Sequence, residues 1–194
     1  EKGEFKDEII PVNDISEDGC VRPDTTLESM AQLKPAFDKE GVVTAGTSSP
    51  LTDGAAAVIV CSEDYAKSNK LKMLAYIRGM AISGCSPEIM GIGPVVSSQK
   101  ALKRAGLKLE DIDIIEMNEA FAAQSLACVD ELGIDMSKLN IHGGALAMGH
   151  PLGASGARIT GKAASLLQNN GAKYALSTMC VGGGQGCATI LERA

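Results

Sequence analysis

The stretch IDIIEMNEAFAAQSLACVDEL, residues 112–132, contains the pattern that decides the fold of this chain. Residues 112–117 form a short and mostly apolar run, which predicts a buried strand. Residues 119–132 place their apolar side chains at helical intervals and predict an amphipathic helix. A strand that leads into a helix is the repeating unit of α/β proteins.

The same alternation extends in both directions from this unit. On the amino-terminal side we predict a strand at residues 73–82 and a helix at 95–105. On the carboxyl-terminal side we predict a short strand at 138–141, a glycine-rich loop, a helix at 154–169, and strands at 173–180 and 186–192. The order βαβαβαββ indicates an α/β fold in which helices pack on a mixed sheet.

Residues 1–70 have a less regular pattern and little apolar core of their own. They contain a predicted helix at 25–33, a turn-rich loop at 44–54, a predicted strand at 55–61 and a predicted helix at 62–70. We therefore place a domain boundary near residue 71, with residues 71–194 as one domain and residues 1–70 as the remnant of a preceding one. The charged start EKGEFKDE, without an initiating Met, indicates a piece of a longer polypeptide.

Composition argues against several classes of protein. The 194 residues are 45% hydrophobic and carry a net charge of −6, with Lys and Arg scattered along the chain, so we expect no nucleic-acid partner. The longest apolar run, residues 55–61, is far shorter than the roughly 18 to 20 residues that a membrane helix needs, so we expect a soluble protein. Six cysteines without a C-x-x-C pair, two histidines and no recognisable signal peptide favour a cytoplasmic protein without disulfides or a metal.

Three segments that contain reactive or polar side chains lie where a predicted strand ends or a predicted helix begins, the usual place for sites in α/β folds. They are residues 118–121 (NEAF), 143–158 (GGALAMGHPLGASGAR) and 180–186 (CVGGGQG). In the last segment, Cys180 is either a buried inert thiol or a reactive one. The glycines after it favour the second interpretation, because they let the backbone turn sharply and bring its N–H groups to a developing oxyanion.

His150, between Gly149 and Pro151, is either structural or the side chain that exchanges protons near neutral pH. His142, in the same loop, is a weaker candidate. Asn118 is either the N-cap of the following helix or an amide that orients a water or a substrate oxygen. Arg22 and Arg158 are either surface charges or contacts for an anionic ligand.

Taken together, the three segments resemble the thiolase family, whose marks are an Asn-Glu-Ala-Phe segment, a Gly-His-Pro segment in a glycine-rich loop and a terminal Cys-x-Gly segment. The resemblance continues through residues 21–23 (VRP), 33–41 (LKPAFDKEG), 44–57 (TAGTSSPLTDGAAA) and 191–193 (LER), so it covers essentially the whole chain. It implies acyl transfer between 3-ketoacyl-coenzyme A (3-ketoacyl-CoA) and CoA. In this chemistry CoA is a substrate, and no cofactor is expected.

The resemblance also assigns roles to particular residues. It implies that His150 activates a nucleophilic cysteine and, with a water held by Asn118, stabilises the thioester enolate. Cys180 would be the acid/base, a thiol near pKa ~8.5 with its thiolate favoured by nearby positive dipoles. The N–H of Gly182 would form half of a second oxyanion hole. Further residues match positions that contact CoA or line its pocket in the family: Arg22, Ser29, Ser49 and Phe121.

The chain departs from the family pattern at the nucleophile. Thiolases attack with a cysteine in an Asn-x-x-Cys segment of their first half, and no cysteine here has that context; Cys85, in SGCSPE, is the nearest imitation. We therefore expect the isolated chain to be inactive without an amino-terminal half. Residues 1–70 are then the end of the coenzyme-binding loop region and the last strand and helix of that half, and we expect exposed apolar surface where the rest of it would pack.

Several further expectations concern substrate and partners. The segments CSPEIMGIGPV and EMNEAFAAQ are closer to the degradative thiolases of fatty-acid β-oxidation, whereas VGGGQG is shared with the acetoacetyl type. We expect a homo-oligomer, with a β-oxidation multienzyme complex as a possible assembly. A decarboxylating ketoacyl synthase is a rival reading, but that chemistry uses a second histidine where Cys180 stands. A non-catalytic CoA-binding, acyl-binding or assembly fragment is the other alternative.

Overall fold

In the computed structural model, which describes residues 3–194, one mixed four-stranded sheet organises the chain. Its strands are β1 Ala75–Gly84, β2 Ile114–Met117, β3 Tyr174–Val181 and β4 Gln185–Arg193. They lie in the order β1-β4-β3-β2. The pairs β1–β4 and β3–β4 are antiparallel, and β2 runs parallel to β3. This arrangement confirms the predicted mixed sheet.

Six α-helices and four 3₁₀ turns connect and cover the strands in this part of the chain. The helices are α1 Leu27–Ala31, α2 Glu63–Ser68, α3 Gly93–Ala105, α4 Ala122–Leu132, α5 Ala145–Met148 and α6 Leu152–Asn169. The 3₁₀ turns are Ala45–Thr47, Pro87–Ile92, Leu109–Asp111 and Met136–Lys138. Each helix predicted from the sequence is present, with its ends shifted by a few residues.

The sheet separates two apolar cores because side chains alternate between its faces. Ile115 of β2 packs in the core on the side of α3 and α4, whereas its neighbour Ile114 packs against α6. Leu176 and Ala175 of β3 divide in the same way. Each large apolar side chain buried in this way contributes about 1.5–3 kcal/mol, so the alternation fixes the register of the strands.

The strand predicted at residues 138–141 is not formed. The chain makes the 3₁₀ turn Met136–Lys138 there, and Leu139 forms one isolated parallel bridge with Ile115. Asn140 ends the pairing because its backbone adopts a positive φ of 44°. Its side chain, rather than a further backbone residue, bonds to the N–H and the C=O of Met117. The observed sheet therefore has one strand fewer than predicted.

The strand predicted at residues 55–61 is also wrong, since this segment is extended but unpaired. No strand lies beside it in residues 3–194, so apolar side chains such as Ile59 and Val60 stay exposed. Ala66 is the one buried apolar side chain of residues 3–70. The sheet and both cores are built from residues after 71, while the assignment of residues 1–70 to a preceding domain stays a prediction.

A search of residues 3–194 for a helix long and apolar enough to cross a bilayer found none.

Candidate functional site

Asn118 follows β2 directly and is fully buried. Its backbone N–H donates to the carbonyl of Thr178, at 3.0 Å, which fixes it to the end of β3. Both polar atoms of its side-chain amide lack a hydrogen-bond partner within the described structure. An unmade buried hydrogen bond costs about 1–3 kcal/mol, so this amide has bonding capacity that the described residues do not use. Its contact with a water or a substrate oxygen stays a prediction.

The alternative role of Asn118 as a helix cap is wrong. Helix α4 begins at Ala122, and its N-cap position is Phe121, which makes no side-chain capping bond. Residues 118–121 therefore form a short connection between β2 and α4. The side-chain amide of Asn118 therefore does not cap α4, which was the structural role considered for it.

His150 is held at two points. Its ring Nδ1 lies 2.6 Å from the hydroxyl of Ser155, which is buried in the first turn of α6. Its backbone N–H donates to Oγ1 of Thr52, at 3.2 Å. The first contact orients the ring and the second anchors the backbone, so Nε2 is left as the ring atom available for chemistry.

The surroundings of His150 favour the neutral imidazole. Partial burial lowers its pKa, and the positive charge of Arg158 lowers it further. The position of His150 just before the first turn of α6 acts in the same direction, because the amino-terminal end of a helix disfavours a cation. A neutral ring at pH 7 is able to accept a proton from an acid that binds beside it.

Cys180 lies near the end of β3 and is 4% exposed. Burial raises its pKa to about 11, and the neighbouring Cys128 thiol adds to the rise. The expectation that positive dipoles favour its thiolate is therefore wrong for this chain, because loss of hydration outweighs them. Cys180 rests as a neutral thiol, which is able to donate a proton but must lose one before it acts as a base.

The glycine-rich segment after Cys180 forms the turn between β3 and β4, as its composition predicted. Gly183 and Gly184 have φ values of 85° and 90°, a region that other residues rarely adopt. Gly182 is exposed at the start of this turn, two residues after Cys180. An oxyanion hole at the N–H of Gly182 stays a prediction.

The loop at residues 48–52 contacts both the segment at residues 118–121 and the segment that contains His150. Ser49 donates its backbone N–H, at 3.0 Å, and its hydroxyl, at 3.3 Å, to the carbonyl of Ala120. Ser48 forms a bridge with Phe121, whose ring packs edge-on against Phe37 at 6.3 Å. The structure thus brings Ser49 and Phe121 together, and Thr52 of the same loop reaches His150.

The structure does not connect Arg22 and Ser29 to these residues. The Ser29 hydroxyl donates to the carbonyl of Thr26, at 2.9 Å, in the cap of α1. Arg22 is exposed, and its carbonyl accepts from the Thr25 hydroxyl, also at 2.9 Å. Within residues 3–194, no hydrogen bond or ion pair joins either side chain to His150 or Cys180. Their contact with CoA stays a prediction.

Buried charges lie between β2 and α6. Glu116 is 1% exposed, and neither carboxylate oxygen has a hydrogen-bond partner in the described structure. Burial raises its pKa to about 7, against the positive charges of Arg158 and Lys162. Arg158 is half-buried rather than a surface charge, and Lys162 pairs with Glu8 at 2.8 Å.

His142, the weaker histidine candidate, faces the amino-terminal segment. Its Nε2 lies 3.4 Å from the carboxylate of Glu4, and its ring packs edge-on against Phe5. These contacts give it a structural role in the described part of the chain.

Sequence reasoning missed the residues that hold the site together: Thr52, Glu119, Asn140 and Ser155. Thr52 and Ser155 reach His150. Glu119 and Asn140 bond to each other and to the backbone around the glycine-rich loop. His150 and Ser155 are five residues apart, and this closeness in the chain was the one signal that the sequence offered.

An open cleft of about 470 Å³ begins at Pro151, the residue after His150, and His150 itself is not part of its lining. It runs between residues 52–56 and the start of α6 at residues 151–154. Cavities of this size, about 300–1,000 Å³, accommodate ligands of the size of a cofactor fragment. Within residues 3–194, no group of three His, Cys, Asp or Glu side chains is arranged to hold a metal ion.

Comparisons with known proteins agree on the family. The family model of the thiolase C-terminal domain matches residues 71–193, and that of the thiolase N-terminal domain matches residues 1–64. The 3-ketoacyl-CoA thiolase of Vibrio parahaemolyticus is 53% identical over 99% of this chain and 52% of its own length. That of Marinobacter nauticus is 52% identical over 100% of this chain and 53% of its own length.

Solved structures show the same likeness. Human mitochondrial 3-ketoacyl-CoA thiolase in complex with CoA has a TM-score of 0.91 at 46% identity, over 99% of this chain and 50% of that one. The acetyl-CoA acetyltransferase of Bacillus anthracis has a TM-score of 0.93 at 42% identity, over 99% and 51%. The chain spans about half the length of the relatives that it matches. With its fold, its ordered motifs and these matches, the chain belongs to the thiolase family.

Proposed function

We propose that this chain is the carboxyl-terminal part of a thiolase that cleaves 3-ketoacyl-CoA with CoA or condenses two acetyl-CoA molecules. The observation that carries the proposal is the arrangement of His150, a neutral ring fixed through Nδ1 with Nε2 available. The unpartnered amide of Asn118 and the neutral thiol of Cys180 support it. The names of the relatives favour the 3-ketoacyl substrate class.

The protonation states suit cleavage of the carbon–carbon bond. His150 accepts the proton of a nucleophilic cysteine that a segment outside this chain supplies. That cysteine bonds to the 3-keto carbon, and the bond to the α-carbon breaks. Cys180 then transfers its thiol proton to the α-carbon of the departing enolate. The resulting thiolate takes a proton from the incoming CoA thiol, which restores Cys180. The CoA sulfur bonds to the acyl carbon, the bond between that carbon and the nucleophilic cysteine breaks, and the cysteine thiolate takes its proton back from His150.

CoA binding is the second part of the proposal. The cleft that begins at Pro151 lies along the loop that holds Thr52 and, through Ser49, contacts the start of α4. A related human structure is described as a complex with CoA, which favours the same substrate here. We propose that Ser49 and Phe121 line the pantetheine path and that Arg22 and Ser29 contact the nucleotide.

The whole enzyme is proposed to be a cytoplasmic homo-oligomer that acts in fatty-acid β-oxidation. A β-oxidation multienzyme complex is the larger assembly proposed for it. Exposed apolar side chains favour association with further polypeptide. An amino-terminal thiolase half is the partner that supplies the nucleophile.

The test is thiolysis of acetoacetyl-CoA by this chain alone and in a mixture with the separately expressed first half of the Vibrio parahaemolyticus relative. We expect activity in the mixture alone. Replacing Cys180 with Ser should abolish it, whereas the matched replacement of Cys187, a half-buried thiol on β4, should leave most of it. Activity of the chain by itself would show that the nucleophile lies within it.

A non-catalytic fragment that binds CoA or assembles with a partner is the alternative. The lack of a cysteine in the family's nucleophile context favours it. Saturable binding of CoA by calorimetry, with no turnover in any mixture, would support this alternative and count against catalysis.

A further inference from the structure

We propose that Glu119, together with Asn140, is a positioning residue that locks the loop carrying His150 onto the strand end carrying Asn118. The proposal rests on the proposed thiolase function. It concerns the carboxylate next to Asn118 in the chain, which the reaction described above does not use. The positioned loop consists of residues 140–150, from Asn140 to His150.

Glu119 bonds to the loop at two places, one through each carboxylate oxygen. Its Oε2 accepts from the backbone N–H of Leu146, at 3.1 Å, inside α5. Its Oε1 accepts from the side-chain Nδ2 of Asn140, at 2.7 Å, at the start of the loop. One carboxylate therefore holds both the beginning and the middle of the loop.

Asn140 continues the connection to β2. Its Oδ1 accepts from the N–H of Met117, at 2.9 Å, and its Nδ2 donates to the carbonyl of the same residue, also at 2.9 Å. Its own backbone N–H donates to the carbonyl of Ile115, at 2.8 Å. The side chain thus takes the place of a neighbouring strand at the residue that precedes Asn118.

The loop backbone lies directly against the carboxylate. A Cβ atom placed on Gly144 would overlap the carboxyl carbon and both oxygens of Glu119. The missing side chain at Gly144 lets the carboxylate lie against the loop backbone. Glu119 therefore contacts the loop here as well as through its hydrogen bond with Leu146.

The donor and acceptor pattern at this point is specific. Both oxygens of Glu119 face N–H donors, which a carboxylate satisfies and a Gln amide does not, since its NH₂ group would face one of them. Likewise Nδ2 of Asn140 faces two acceptors, so an Asp there would place oxygen against oxygen. Exchanging both residues, Glu119→Gln with Asn140→Asp, restores a donor and an acceptor between the two side chains but leaves the Asp oxygen against the carbonyl of Met117.

A loosened loop would misplace His150 relative to Asn118. Displacements of about 1 Å in a catalytic group lower the rate by roughly 100-fold. Because Glu119 does not bind substrate in this proposal, its loss should lower kcat while the KM for CoA stays within about twofold.

The experiment compares Glu119→Gln, Asn140→Asp and the double exchange in the mixture of this chain with a thiolase first half. We expect Glu119→Gln to lower kcat for thiolysis at least tenfold and Asn140→Asp to lower it further. The double exchange should be faster than Asn140→Asp, because it removes the contact between two carboxylates. The control is Glu131→Gln, an exposed carboxylate at the end of α4, which should keep wild-type kcat. Wild-type kcat in Glu119→Gln, or a double exchange no faster than Asn140→Asp, overturns the proposal.

A second measurement separates this proposal from the thiolase function itself. Hydrogen exchange of the segment at residues 143–149, recorded on the full chain, should be at least tenfold faster in Glu119→Gln and slower in the double exchange than in Asn140→Asp. An inactive wild-type mixture counts against the thiolase function, whereas unchanged exchange in Glu119→Gln counts against the positioning role. Exchange in α3, outside the loop, should stay at the wild-type rate, and equally fast exchange in both segments would mean that Glu119 acts on stability alone.

Discussion

The partner of His150 at Nδ1 is a serine hydroxyl, and this choice has a chemical consequence. A hydroxyl donates or accepts as required, so Ser155 is compatible with a proton on either ring nitrogen of His150. A carboxylate at the same place would favour the tautomer with its proton on Nδ1. Ser155 therefore lets Nε2 act first as a base and later as a hydrogen-bond donor, without rotation of the ring.

Replacing Ser155 with Ala should lower kcat for thiolysis by roughly fivefold, because the loss of one hydrogen bond is worth about 1 kcal/mol and frees the ring. The measurement is steady-state thiolysis by the mixture with a first half. Ser98→Ala is the matched control, since Ser98 is also a buried helical serine and bonds to Thr178 at 3.2 Å. Equal losses of kcat in the two variants would mean that Ser155 contributes stability alone.

At the level of elements, β2 and α6 enclose a carboxyl group, that of Glu116, whose pKa burial raises. The pKa of Glu116 rises from 4.5 to about 7, so the folded state holds a proton that the unfolded chain releases between these values. Stability is unaffected below pH 4.5 and falls as pH rises towards 7. Above pH 7 the loss is complete, at roughly 3 kcal/mol.

Glu116→Gln should therefore stabilise the chain at high pH, because Gln has the shape of the protonated carboxyl and does not ionise. We expect a Tm equal to that of the wild type near pH 5 and higher by roughly 5–10 °C at pH 8. Thermal unfolding at four pH values between 5 and 8 is the measurement, with the exposed Glu110→Gln as control. A variant less stable than the wild type at pH 8 would show that Arg158 forms a net stabilising pair with the Glu116 carboxylate.

The elements with a strong local pattern were predictable from the sequence. Helices such as α3 and α6 and the hairpin of β3 and β4 have regular spacing and turn residues that identify them. Strand pairing is not local, which is why the exposed segment at residues 55–61 was mistaken for a strand. The same holds at 138–141, where one Asn140 side chain replaces backbone pairing.

Some residues of the candidate site were also predictable from the sequence, and others were not. His150, Cys180 and Asn118 stand out by residue type and by their glycine-rich neighbours. The supports of the site depend on contacts between distant parts of the chain, such as Thr52 with His150, which no spacing in the sequence reveals. The pKa of Cys180 was wrongly predicted for the same reason, since burial is a property of the packed structure.

For the whole molecule, the uncovered face of the sheet is the notable feature. In β1, Ala81 and Ser83 are buried on the side of α3, whereas Met80 and Ile82 alternate to the other side and are 56% and 68% exposed. These two pair with Thr189 and Cys187 of β4, which line a cavity of about 220 Å³ beside α6. The apolar surface is therefore continuous from β1 to the flank of α6.

We expect this face to drive self-association of the chain when no first half is present. Burying a large apolar side chain contributes about 1.5–3 kcal/mol, and each 1.4 kcal/mol changes a dissociation constant tenfold. The double variant Met80→Lys, Ile82→Lys should thus weaken association at least tenfold in sedimentation equilibrium. Ile10→Lys is the control, because Ile10 is 84% exposed and lies in the amino-terminal segment rather than in a strand. A wild-type chain that stays monomeric at every concentration would mean that the exposed face of β1 does not drive association. The first half would then associate through other surfaces.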